Sequence, residues 1–317
     1  MFGGLARRQT SAAAPAAVSG VHVELGELLR YRHLVRDLQL FARRPARSSP
    51  AGATRSRHRG RGMEFEETRL YQPGDDVRAI DWRVSARTGK AHTKVFREER
   101  ERPVHILVDQ RSSMFFGSGR RFKSVLAAEL AAAIAWSALA GADRIGGQVI
   151  GDHTECDTRE RRDRGAVLRL LRDLHACDHA LPGDGTRGRT SLARTLEECR
   201  RLVRPGTAVF LIGDLHDLDA AAERALVLLG RHADITALRI VDVVEAAPPE
   251  RGRLAISDGR ERAAVWMGPA LLAAYREESA RREAALLRAC ARAGARLITA
   301  DTRDEPLAIL RRHYARS

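Results

Sequence analysis

The sequence predicts an α/β fold built on a doubly wound, mostly parallel sheet, and three observations carry that prediction. Strand-like and helix-like stretches alternate from Pro103 to the C-terminus. The strand-like runs are apolar at successive positions, as strands covered by helices on both faces must be. Two of them run straight into an aspartate, at Val108-Asp109 and at Ile212-Gly213-Asp214.

Each element follows from local pattern. Leu28, Tyr31, Val35 and Leu38 fall at helical spacing within residues 21–42, so a helix is expected there. It stops before Arg43–Gly62, whose prolines, serines and glycines break helices and read as a mobile basic tether. Val104–Val108 is the first buried strand, and Phe122, Val125, Leu126, Leu130 and Ile134 mark a buried helix. Residues 144–150 read as a strand, 166–175 and 191–203 as helices, and 208–212 as a second buried strand. A helix over 220–232, a strand over 235–241, a hairpin-like stretch over 253–267 and a long helix over 269–293 come next. A last strand at 296–299 and a helix over 305–314 complete the order. In such sheets ligands gather at the carboxyl ends of the strands, beside the point where strand order reverses.

At 317 residues and 44% hydrophobic content the chain is long enough for a substantial core. Its formal charge of +14 comes almost wholly from arginine, because Lys90, Lys94 and Lys123 are the only lysines. Those arginines are interleaved with Glu and Asp, which reads as compositional bias on an ordinary surface more than as a polyanion site. A nucleic-acid-binding module using the arginines of residues 43–61 and the scattered basic surface is the alternative. Cys156, Cys177, Cys199 and Cys290 are widely spaced with no C-x-x-C pair, so reduced thiols in a cytoplasmic protein are expected. The apolar run Leu130–Ala140 is too short to span a bilayer, and residues 1–20 read as a disordered leader.

Gly60–Arg100 is the least ordinary segment, crowding charge, four aromatics and a Pro-Gly turn into one stretch. Pro73-Gly74 predicts a tight turn that lifts Asp75 and Asp76 to its tip, near Arg69, Arg78 and Arg83. Ile80 and Trp82 flank Asp81 with strand-like alternation, which would turn Asp81 to the opposite face for a guanidinium to pair with. Such a network either pins the segment onto the following domain or forms a surface for a partner. The candidate surface comprises Arg69, Tyr71, Asp75, Asp76, Arg78, Asp81, Trp82 and Arg87.

The order Glu64-Phe65, Arg69, Tyr71, Pro73-Gly74-Asp75-Asp76, Arg78, Ile80-Asp81-Trp82, Ser85-Ala86-Arg87 and Glu98-Glu99-Arg100 resembles the signature of family fifty-eight of the domains of unknown function. Members carry a von Willebrand factor A-like domain, which the resemblance places at residues 103–317, after an extension over residues 21–102. Such domains hold a divalent cation with a D-x-S-x-S loop, a threonine and a third-loop aspartate, and leave a position for a partner's carboxylate. Here those positions match Asp109, Ser113, Thr190 and Asp214. The first serine is replaced by Arg111, which offers no oxygen to Mg²⁺. Two unit charges about 4 Å apart repel by roughly 4 kcal/mol at an effective dielectric near 20, close to three decades of affinity. Arg111 is therefore expected to take the cation's place, by pairing with Asp109 or Asp214 or by facing a partner's acid; a weak Mg²⁺ site with Arg111 swung away and a purely structural loop are the alternatives. The resemblance further implies a non-enzymatic adaptor working with a MoxR-type AAA+ ATPase and other von Willebrand A-like proteins in assembling or activating complexes.

Other candidates carry less. His175, Cys177 and His179 could ligate zinc, but no fourth ligand is near in sequence and a helix is expected to end there. Gly183-Asp184-Gly185-Thr186 lacks the lysine of a phosphate-cradling loop. Asp217 and Asp219 are expected to begin the following helix. No nucleophile elbow or H-E-x-x-H is present, and no general base is nominated.

Overall fold

A computed structural model describes residues 20–38, 40, 63–98, 102–180, 190–257 and 262–314. The leader, the linker over 43–62 and the Gly183–Thr186 run lie outside the described residues, apart from Gly20.

Six strands form the central sheet: β3 (Pro103–Asp109), β4 (Arg144–Ile150), β5 (Glu155–Arg161), β6 (Ala208–Gly213), β7 (Asp234–Val241) and β10 (Arg296–Asp301). Their spatial order is β10-β7-β6-β3-β4-β5, parallel throughout except for β5. Numbered within the sheet this is the 3-2-1-4-5-6 order, so the reversal falls between β3 and β6. Both aspartate-tipped strands flank that reversal. Strand β5 went unread in the sequence because Glu-Cys-Asp-Thr-Arg-Glu-Arg has no apolar run; as an antiparallel edge strand it buries chiefly Thr158.

Helices cover both faces. On one side α3 (Lys123–Ala140), α4 (Arg164–His179) and α9 (Pro306–Tyr314) pack with α1 (Leu25–Leu34) against Ile106, Val108, Ile145 and Phe210. On the other side α5 (Leu192–Leu202), α6 (Ala220–Gly230) and α8 (Pro269–Ala293) cover Leu107, Val209 and Leu211. Alternate residues of β3 thus face opposite cores, which is why its sequence is apolar at nearly every position. A short helix α7 (Val243–Ala246) and a hairpin of β8 (Gly252–Ser257) and β9 (Arg262–Met267) lie between β7 and α8.

Two expectations need correction. The helix expected within 21–42 and assigned with the extension ends at Leu34 and belongs to the main core: Leu28, Tyr31, Val35 and Leu38 are buried against α3. Trp136 donates to the Leu28 carbonyl and Ser137 to the Leu38 carbonyl, fixing this segment on α3. The boundary drawn at residue 103 therefore does not separate packing units. The apolar run placed at Leu130–Ala140 extends over all of α3, which is long and apolar enough to cross a bilayer by length and composition. In the fold it is the central core helix, enclosed along nearly its whole length.

Candidate functional site

The site forms where β3 and β6 end side by side. Gly213 makes this approach possible: a Cβ there would lie 2.8 Å from that of Asp109. The chain then turns through Leu215, whose φ of +55° is uncommon for a side chain that size, and carries Asp214 and Asp217 into the site.

Arg111 lies between two carboxylates. Its Nε and Nη2 donate to Asp109 at 2.9 and 2.5 Å, and its Nη1 and Nη2 donate to Asp217 at 2.6 and 3.0 Å. Nη1 also donates to the Thr190 carbonyl at 3.2 Å, so all five guanidinium N–H groups are engaged. Asp109 is buried, whereas the Asp217 side chain is 39% exposed. Burial opposes the charge on Arg111, but Asp109 and Asp217 outweigh it and hold its pKa above the ordinary arginine value. Burial pushes the Asp109 carboxyl up, against the downward pull of its bonds to Arg111.

Asp214 has its own cation. Lys123, fully buried at the start of α3, places Nζ 3.4 Å from Asp214 Oδ2 and 2.8 Å from Glu245 Oε1. Burial would raise Asp214, yet Lys123, then His216 and the Ser113 hydroxyl, leave it below the usual carboxylate range. A third strand end contributes Asp152, which accepts from the Ser112 N–H and hydroxyl.

The four residues matched by resemblance thus meet at one place, with Thr190 offering its carbonyl to Arg111. Their donor set does not suit a hard divalent cation: both oxygens of Asp109 are held by a guanidinium and Asp214 faces an ammonium. Of the two acids offered to Arg111, Asp109 is the one it pairs with, and Asp214 pairs with Lys123. Asp217, expected to begin a helix, instead clamps Arg111 and accepts from the Leu192 N–H, while Asp219 alone caps α6. Lys123 and Asp152 were missed, although a lone lysine ahead of an apolar helix and a third strand-then-aspartate pattern were visible signals.

The segment over 63–98 is a hairpin of β1 (Met63–Leu70) and β2 (His92–Glu98), with α2 (Trp82–Thr88) between them. Arg69 pairs with Asp75 at 2.7 Å across the Pro73-Gly74 turn, where Gly74 has φ +107°. Asp76 accepts from the Arg78 N–H. The strand-like reading of Ile80-Asp81-Trp82 is corrected: Asp81 is the N-cap of α2, accepting from the Arg83 and Val84 N–H groups, and its charged neighbour is Lys94 at 3.7 Å. Trp82 is not buried but 72% exposed, with Leu70 and Val77 also open to solvent. Among the described residues, the side-chain hydrogen bonds and ion pairs of this block close within it.

The family model described as "Protein of unknown function DUF58" matches residues 67–285, from within this hairpin into α8. The chain belongs to the DUF58 family. Its DUF58 relatives include the uncharacterized proteins Rv1480 of Mycobacterium tuberculosis and Mb1516 of Mycobacterium bovis. Each is 29% identical over 258 residues, 81% of this chain and 80% of the relative. Among solved structures, BatB from Bacteroides thetaiotaomicron aligns at 12% identity, over 66% of this chain and 93% of its own, with a TM-score of 0.41. A von Willebrand factor type A protein from Catenulispora acidiphila aligns at 14% identity over 47% of this chain and 35% of its own, TM-score 0.34. The six-stranded, mostly parallel sheet with helices on both faces makes this DUF58 fold a doubly wound α/β one.

Proposed function

We propose that this DUF58 protein is a non-enzymatic adaptor that accepts a partner's carboxylate at Arg111 in exchange for its own Asp217. The observation that carries this reading is the asymmetry around Arg111: Asp109 is buried, whereas Asp217 sits on an open loop. With all five N–H groups engaged, Arg111 cannot simply add a ligand. An incoming carboxylate that displaces Asp217 keeps the guanidinium bidentately paired, and the released Asp217 is solvated, so no charge is left buried alone. The Trp82, Val77 and Leu70 side chains on the signature hairpin offer the apolar anchor such docking needs. The family resemblance supports a MoxR-type AAA+ ATPase, with other von Willebrand A-like proteins, as the partner.

The test is capture from native lysate, with and without ATP, read by mass spectrometry. Asp217→Ala should recover several-fold more AAA+ ATPase than the unaltered protein, and Trp82→Ala several-fold less. Recovery of no AAA+ ATPase by any of the three would overturn the reading.

A further inference from the structure

A second cluster, away from the strand ends, joins the N-terminal segment to the end of α4. His22 Nδ1 lies 3.1 Å from Asp178 Oδ2, across 156 residues of sequence, and the Val23 N–H donates to the same oxygen at 2.9 Å. His179 Nδ1 lies 3.5 Å from that oxygen, and the His22 and His179 ring centroids are 5.1 Å apart. One ligand atom from each of His22, Asp178 and His179 falls within 4.8 Å of the others.

Among the described residues, Asp178 has no permanent cation beside it. The residue is 0% exposed, and among the described residues its Oδ1 has no hydrogen-bond partner. Among the described residues its ion-pair partners are the two imidazoles, neither of which is a permanent cation. A desolvated carboxylate needs a compensating positive charge. We propose that His22, Asp178 and His179 bind a zinc-class divalent ion, with water as the fourth ligand. Two imidazoles and one carboxylate suit zinc, cobalt or nickel better than magnesium. Tetrahedral zinc with bonds of about 2.0–2.1 Å separates its ligand atoms by roughly 3.3 Å; Asp178 Oδ2 lies 3.1 and 3.5 Å from the two imidazole nitrogens, and the whole set falls within 4.8 Å. Both imidazoles are partly open to solvent, which gives the ion an entry path. Binding would replace the bond that His179 Nδ1 makes to the His175 carbonyl at 2.9 Å.

Of the His175, Cys177 and His179 set noted in the sequence, only His179 belongs to this cluster, and its companions are His22 and Asp178. Cys177 takes no part: it is buried, with Sγ 3.5 Å from the Thr154 hydroxyl. His175 stacks on His179 at 4.1 Å outside the ligand set. The bound ion would staple the segment leading into α1 onto α4.

The test uses the untagged full chain, stripped with chelator and titrated with Co²⁺. Expected are the visible d–d bands of a four-coordinate site at one equivalent, their displacement by Zn²⁺, and a rise in melting temperature. His22→Ala and His179→Ala, both at partly exposed positions and so expected to fold, should each weaken binding at least about tenfold. His175→Ala should keep the bands. No Co²⁺ spectrum at about 100 µM metal, or one unchanged in His22→Ala, would overturn the proposal.

Discussion

At the scale of single residues, Arg111 decides the chemistry of the strand ends. A guanidinium placed between a buried and an exposed acid leaves Asp109 charged and uncompensated if it is removed. Arg111→Ala should therefore lower the unfolding free energy by about 3–5 kcal/mol in denaturant titration. Adding Asp109→Ala should recover part of that loss, because the orphaned charge goes with it. By the same reasoning, calorimetric titration of the unaltered protein with Mg²⁺ should show no micromolar binding. Micromolar heat that disappears in Asp109→Ala would contradict the site described here. The sequence exposed the Arg111 substitution plainly, since one residue breaks the D-x-S-x-S spacing. It could not expose Asp217 as the second clamp, because an acid just ahead of a helix is usually a cap, and only the Leu215 turn redirects this one.

At the scale of elements, the signature hairpin separates what a residue pattern shows from what geometry adds. Pro73-Gly74 forms the expected turn because Gly74 alone there tolerates φ +107°. Ile80-Asp81-Trp82 reads as strand by alternation, yet capping wins: one carboxylate oxygen satisfies two otherwise unpaired N–H groups at the start of α2. Asp81→Ala should cost that short helix about 1 kcal/mol. Amide exchange within α2 should then quicken roughly fivefold while β3 and β6 are unchanged, as hydrogen exchange would report. Equal acceleration in the sheet would mean that hairpin and sheet open together. Strand β5 shows the complementary blind spot: an edge strand with one polar face looks like a loop when only apolar runs are counted.

At the scale of the whole molecule, stability should carry an acid-sensitive component set by His105, buried on β3 beside Gln148 and 3.9 Å from Glu160. Burial pulls its pKa down from 6.5 to about 4, against the smaller opposing effect of Gln148. The unfolded chain thus takes up a proton near 6.5 and the folded chain only near 4, so stability falls as pH drops through that window. The loss should amount to roughly 2–3 kcal/mol between about pH 7 and pH 4.5 by denaturant midpoints, and His105→Leu should flatten the difference. An unchanged slope in that variant would assign the acid sensitivity to other groups. What the sequence by itself determined was the layering: apolar runs between amphipathic helices admit few solutions other than a helix-covered parallel sheet, and the aspartates after two runs mark strand ends. Which strands neighbour each other was decided only by tertiary structure. Adjacency depends on how helices pack across both faces, and that packing brings Arg111 to Asp217, Lys123 to Asp214 and His22 to Asp178 across gaps no local pattern encodes.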